Sequence, residues 1–166
     1  SLISQHETVA FDLGTTVPFI AKYLKNDISI SALCVTFECA TELYYKKNVN
    51  LLLPGGHLHR DSDVFHSDEG TAFLSKVRTD KAFISAAGIH TELGITCYHD
   101  FHVTIKKLLM QSTKKIILVA DSTKFGKINP SFFAEISDIH AIVTDEGIPQ
   151  EYREVFDDQN IEVIIA

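Results

Sequence analysis

Positive charge is scarce in this 166-residue chain: 15 Lys and Arg stand against 22 Asp and Glu, a formal net charge of −7. A chain of that sign repels nucleic acid, so any DNA contact needs a basic element that these residues lack. Long hydrophobic runs are missing too. No stretch approaches the ~20 consecutive apolar residues of a membrane span, and no signal peptide opens the chain. Cysteine is sparse and odd in number. Cys34, Cys39 and Cys97 lie in apolar or helix-like surroundings, which argues against a disulfide framework and reads as reduced thiols of a cytoplasmic protein. Metal-ligand spacing is absent: there is no Cys-x-x-Cys, no His-x-x-x-His on one helix, and His57-Leu58-His59 is a lone pair. Neither Gly-Lys-Ser/Thr nor Gly-x-Gly-x-x-Gly occurs, which disfavours nucleotide binding. No metal and no cofactor are expected. The chain also opens without a methionine and runs almost at once into a strand, so it reads as a fragment of something longer.

What is present is the balance of an ordinary globular domain, 45% hydrophobic and 22% charged residues, in a length suited to one domain with a real core. Short β-like runs alternate with helical stretches. Strands are expected at residues 7–11, 28–35, 49–53, 81–85, 115–120, 139–143 and 161–165, and helices at 15–24, 38–45, 68–77, 101–111 and 150–156. Leu51-Leu52-Leu53 and Ile116-Ile117-Leu118-Val119 do not alternate polar with apolar, as suits strands covered on both faces. Right-handed crossovers between such strands give an α/β, Rossmann-like three-layer domain with a mostly parallel sheet, here read as one domain over residues 1–166.

Ligands of open α/β sheets bind outside the carboxyl ends of the strands. Four strand ends or loops carry unusual chemistry. In Asp12-Leu13-Gly14-Thr15-Thr16 a tight glycine turn precedes two hydroxyls at an expected helix start, either an anion cradle or an ordinary N-cap. Pro54-Gly55-Gly56 lets the backbone approach a ligand, or simply reverses the chain. In the stretch from Asp80 to His90, Ala86-Ala87-Gly88 can floor a pocket or serve close packing, and Asp80 can hold a sugar hydroxyl or end a turn. Lys124, within Asp121-Ser122-Thr123-Lys124-Phe125-Gly126, is placed to neutralise a phosphate, or is a solvated surface lysine. Together they describe a site for a small phosphorylated ligand.

These motifs, in this order and spacing over nearly the whole chain, resemble the C-terminal sensor domain of DeoR-family transcriptional repressors. The stretches 85–90, 94–97 and 122–127 are most similar to deoxyribose-responsive members, which implies an effector such as deoxyribose 5-phosphate. The resemblance further implies a fold similar to ribose-5-phosphate isomerase and an N-terminal helix-turn-helix domain, absent from these residues, through which operator DNA is bound. Self-association into a homo-oligomer is also implied. By the same similarity Gly14, Thr15, Thr16 and Lys124 lie on the phosphate side, with Asp80 and Gly88 nearer the sugar. Two departures from the family pattern stand out. Its members commonly carry an acid four residues before the lysine matching Lys106, where this chain has His102. Phe37 also replaces an asparagine in Val35-Thr36-Phe37. Without a carboxylate base poised over the sugar, the alternative of a sugar-phosphate isomerase is weaker than a non-catalytic sensor.

Overall fold

The structure, a computed structural model, describes residues 2–166. Seven strands form one all-parallel sheet: β1 (Thr8–Phe11), β2 (Ile30–Cys34), β3 (Val49–Leu52), β6 (Thr79–Ser85), β9 (Thr113–Val119), β11 (Ala141–Thr144) and β12 (Glu162–Ile165). Their order across the sheet is β12-β11-β9-β6-β1-β2-β3. Five helices run between them: α1 (Val17–Lys22), α2 (Phe37–Tyr44), α3 (Asp68–Lys76), α4 (Asp100–Gln111) and α5 (Gln150–Asp158). Smaller pieces fill the longer crossovers. A hairpin of β4 (His57–His59) and β5 (Val64–His66) precedes α3, and an antiparallel sheet in the order β10-β8-β7 joins β7 (Gly88–His90), β8 (Gly94–Cys97) and β10 (Ser131–Ala134).

Successive side chains of the central strands enter two separate cores, as a strand's period of two requires. Ala82, Ile84, Ile116 and Leu118 pack with Ile105 and Leu109 of α4 and with Tyr152 and Phe156 of α5. Phe83, Ile117 and Val119 pack on the opposite face with Val9 and Phe11, under Val17 and Ala21 of α1 and Leu43 of α2. Phe11 and Phe83 stack there at 5.9 Å. Non-alternating apolar runs therefore mark strands with a core on each side, as expected for β9. In β3, Leu51 and Leu52 are only half-buried, because β3 is an edge strand.

Polar caps set two helix starts: Thr36 Oγ1 accepts from Cys39 N at 3.4 Å, and Ser67 Oγ accepts from Gly70 N at 2.9 Å. The first helix differs from expectation. α1 spans six residues, not 15–24; Pro18 sits in its first turn, and the Thr16 side chain makes no capping bond. A helix this short supplies little aligned dipole, so any anion held there depends on loop amides and nearby cations.

Candidate functional site

From β1 the chain builds outward through β2 to β3, and from β6 it builds the other way through β9 and β11 to β12. The loops leaving the carboxyl ends of β1 and β6 therefore part, and a crevice opens between them at the topological switch point. A cavity of about 220 Å³ lies there.

Under the cavity sits a fixed ionic core. Asp12, the first residue past β1, is fully buried and Lys106 of α4 is 1% exposed. Lys106 Nζ donates to Asp12 Oδ2, to Ser85 O at 2.8 Å and to Ser85 Oγ at 3.1 Å, so each of its three N–H bonds has an acceptor. Asp12 Oδ2 also accepts from Ser85 N at 2.9 Å. The core thus joins the ends of β1 and β6 to α4. Gly14 completes the seam. Its φ is +126°, and a Cβ there would lie 2.5 Å from Ser85 Oγ, so the turn can rest on Ser85 only as glycine.

Above this core the exposed turn Gly14-Thr15-Thr16 forms one wall, and its three amides donate to no group among the described residues. Ser85, Ala86 and Ala87 continue the lining past β6, and Cys97, Tyr98, His102 and Lys106 add the side of β8 and α4. Asp121 and Lys124 come from the loop after β9. Lys124 Nζ lies 3.9 Å from Asp121 Oδ2 and its side chain is 29% exposed. The Thr123 hydroxyl holds the Asp121 carboxyl below its ordinary value. The loop is pinned from behind: Gly126 N donates to Ile89 O and to the Tyr152 hydroxyl, both at 2.9 Å, and that hydroxyl donates to Ile89 O at 3.1 Å.

His102 stands one turn before Lys106 on α4. Its Nε2 is buried without a hydrogen-bond partner, as is Asp12 Oδ1. Burial, then the charge of Lys106, pushes the imidazole down to about 4, so it is neutral at ordinary pH.

Of the residues singled out from sequence, Gly14, Thr15, Thr16, Ala87 and Lys124 meet at this cavity, with Asp12 beneath it. The others do not. Asp80 is the second residue of β6, at the amino edge of the sheet, where it accepts from Thr8 N at 2.9 Å and from Lys114 Nζ at 2.8 Å. Five residues along an extended strand put it roughly 17 Å from Ser85. Its assignment to the sugar is corrected: it ties strand starts together. Gly55 and Gly56 follow the edge strand β3, which β2 separates from β1, and they lead into the β4–β5 hairpin. Gly56 has a φ of +93° and packs against His66 O and Ser67, a structural turn. Gly88 is buried in β7, where a Cβ would lie 2.4 Å from Lys127 O, so it serves chain packing and does not line the cavity.

Sequence reasoning left Ser85, His102, Lys106 and Asp121 out of the site. Lys106 carried a usable signal, since it shares a helical stripe with Leu109 and Met110, where a charge needs a buried partner.

Among the described residues no three His, Cys, Asp or Glu side chains are grouped to hold a metal ion, and no helix is long and apolar enough to cross a membrane. The fold is a Rossmann-like α/β domain with a small cavity of mixed polar and apolar lining at its switch point. A solved ribose 5-phosphate isomerase A from Methanocaldococcus jannaschii is similar with a TM-score of 0.53 at 15% identity, covering 75% of this chain and 48% of that one. At that identity the likeness shows the fold alone.

The chain belongs to the DeoR C-terminal sensor domain family, whose model matches residues 1–146. The deoxyribose operon repressor of Escherichia coli strain K12 is 30% identical over 164 residues, 99% of this chain. The transcriptional regulator IolR of Bacillus subtilis strain 168 is 29% identical over 164 residues, again 99%. This chain spans 65% of the length of each of these relatives, which are named as regulators of transcription and not as enzymes.

Proposed function

We propose that this chain is the effector-sensing unit of a sugar-operon repressor, with a phosphorylated sugar held at the switch-point cavity. Deoxyribose 5-phosphate is the first candidate. The observation that carries the reading is Lys124 and the unengaged amides of Gly14, Thr15 and Thr16 lining one small cavity. A cation and clustered N–H donors are what a phosphate needs. In the full-length protein, effector binding would shift the population of a homo-oligomer and so the affinity of its N-terminal DNA-binding domains for operator DNA.

Titration calorimetry and thermal shift with deoxyribose 5-phosphate and related pentose phosphates test this reading. At 100 times its dissociation constant, a ligand stabilises the domain by about 2.7 kcal/mol. That raises Tm by roughly 5–10 °C in a domain of this size. No heat and no shift with any of them would refute it. The isomerase alternative has the fold in its favour but no poised carboxylate base: Asp12 is tied to Lys106 and Ser85, and Asp121 is held by Thr123. Turnover of a pentose phosphate would overthrow the sensor reading.

A further inference from the structure

The β3 edge of the seven-stranded sheet is unprotected. That strand reads Val-Asn-Leu-Leu, with no charge, proline or glycine, whereas the opposite edge, β12, carries Glu162 paired with Lys115. Asn48 O accepts from Ile30 N at 3.2 Å, so alternate residues aim their backbone at β2 and Leu51 turns its N–H and C=O to the open edge. Beside that edge runs a groove of about 420 Å³ between α2, β3 and β4, and no charged side chain lines it. Its walls include Leu51, Leu53 and Leu58 together with three rings left in water: Phe37, Tyr44 and Tyr45 are 52%, 70% and 79% exposed. At ~200 Å² per ring those exposures come to roughly 400 Å². The leucines and the strand edge carry the face toward the ~800 Å² that each partner of a stable interface buries.

Charge on the rim of this face is self-complementary. Glu38 and Asp63 stand at the start of α2, where Glu38 N donates to Asp63 Oδ2 at 2.6 Å, and Lys46 and Lys47 follow its end. A two-fold axis at Leu51 lays β3 antiparallel to its copy, and α2 antiparallel to its copy, so each acidic end meets the partner's basic end. The two copies of Leu51 then exchange N–H···O bonds across the axis, and the ring-lined faces of the two α2 helices come together. We propose that this chain forms a two-fold dimer through the β3 edge and the Phe37-Tyr44-Tyr45 face of α2, joining two seven-stranded sheets into one. The interface goes beyond the sensor reading and requires no effector, so the two fail by separate measurements.

Sedimentation equilibrium of this 166-residue chain tests the interface, with Tyr44→Glu, Leu51→Pro and Tyr23→Glu compared against wild type. Wild type should dimerise with a Kd of about 1 μM or tighter, the weak end for an interface of standard size. Tyr44→Glu puts a charge into the apolar face at an exposed position and should raise Kd at least about 30-fold, the loss of one central anchor. Leu51→Pro removes an N–H directed out of the sheet and should do the same, with the far-UV circular dichroism of wild type. If Leu51→Pro fails to fold, Tyr44→Glu decides alone. Tyr23→Glu alters an exposed ring that lines a separate groove beside α1 and should leave Kd unchanged. A wild-type chain that stays monomeric at about 100 μM overturns the proposal, whatever else the groove takes. So does a dimer indifferent to Tyr44→Glu, or one dissociated as readily by Tyr23→Glu. A folded Leu51→Pro protein that dimerises like wild type overturns the strand pairing.

Discussion

Replacing Lys106 with Met tests whether the ionic core under the cavity is scaffold or ligand contact. The substitution nearly conserves volume but leaves the fully buried carboxylate of Asp12 without its cation. Removing one partner of a buried ion pair costs about 3–5 kcal/mol, mostly the penalty of the stranded charge. The upper half of that range applies here, because Asp12 is 0% exposed and its Oδ1 has no other partner. Asp12→Asn should cost less, since the amide oxygen can still accept from Ser85 N. The double variant Asp12→Asn/Lys106→Met holds no unpaired charge and should recover at least about 2 kcal/mol relative to the sum of the two singles. Urea denaturation at pH 7 measures all four proteins, and in thermal unfolding Lys106→Met should lose roughly 8–20 °C in Tm by the usual scaling for this size. Should Lys106→Met cost under about 1 kcal/mol, or should the two substitutions simply add, the pair would not be the buried, mutually compensating unit described above.

Lys124→Ala should weaken phosphorylated ligands by roughly 10- to 100-fold, the value of a charge-assisted hydrogen bond, and leave unphosphorylated sugars unchanged in the same titrations. Gly14→Ala forces a side chain into a positive-φ position against Ser85, so a loss of about 1–3 kcal/mol is expected in urea denaturation, with effector affinity falling alongside. His102 gives a pH signature. Its folded value near 4 lies below the ordinary 6.5, so between those values the unfolded chain binds more protons and stability rises with pH. This contribution is complete above about pH 7 and is lost as pH falls from about 6.5 towards 4. Screening of the partly exposed ring holds it to about 1–2 kcal/mol. Comparing wild type with His102→Gln at pH 7 and pH 5 isolates it, and equal pH slopes for the two proteins would show that the ring is not desolvated.

How much of this was legible in the sequence depends on the scale of each signal. β9 could be read because an unbroken apolar run is what a strand between two helical layers requires. β7, β8 and β10 could not, because three or four residues hold at most two periods of alternation, and their pairing comes from tertiary contact. Within the site, the Gly14 turn and Lys124 were legible because they directly follow strands whose carboxyl ends must share an edge. Asp80 was misplaced for the converse reason: it opens its strand, and in a parallel sheet a residue that opens a strand belongs to the edge away from the ligand. His102 and Lys106 required the fold, since only the long β6–α4 crossover decides which turn of α4 faces the end of β1. Yet the lysine in an apolar stripe and the buried aspartate at a strand end each pose a charge that has to be matched. Matching unexplained buried charges across the sequence pairs Asp12 with Lys106, and that pairing fixes where α4 crosses the sheet and which helical turn, the one bearing His102, borders the cavity.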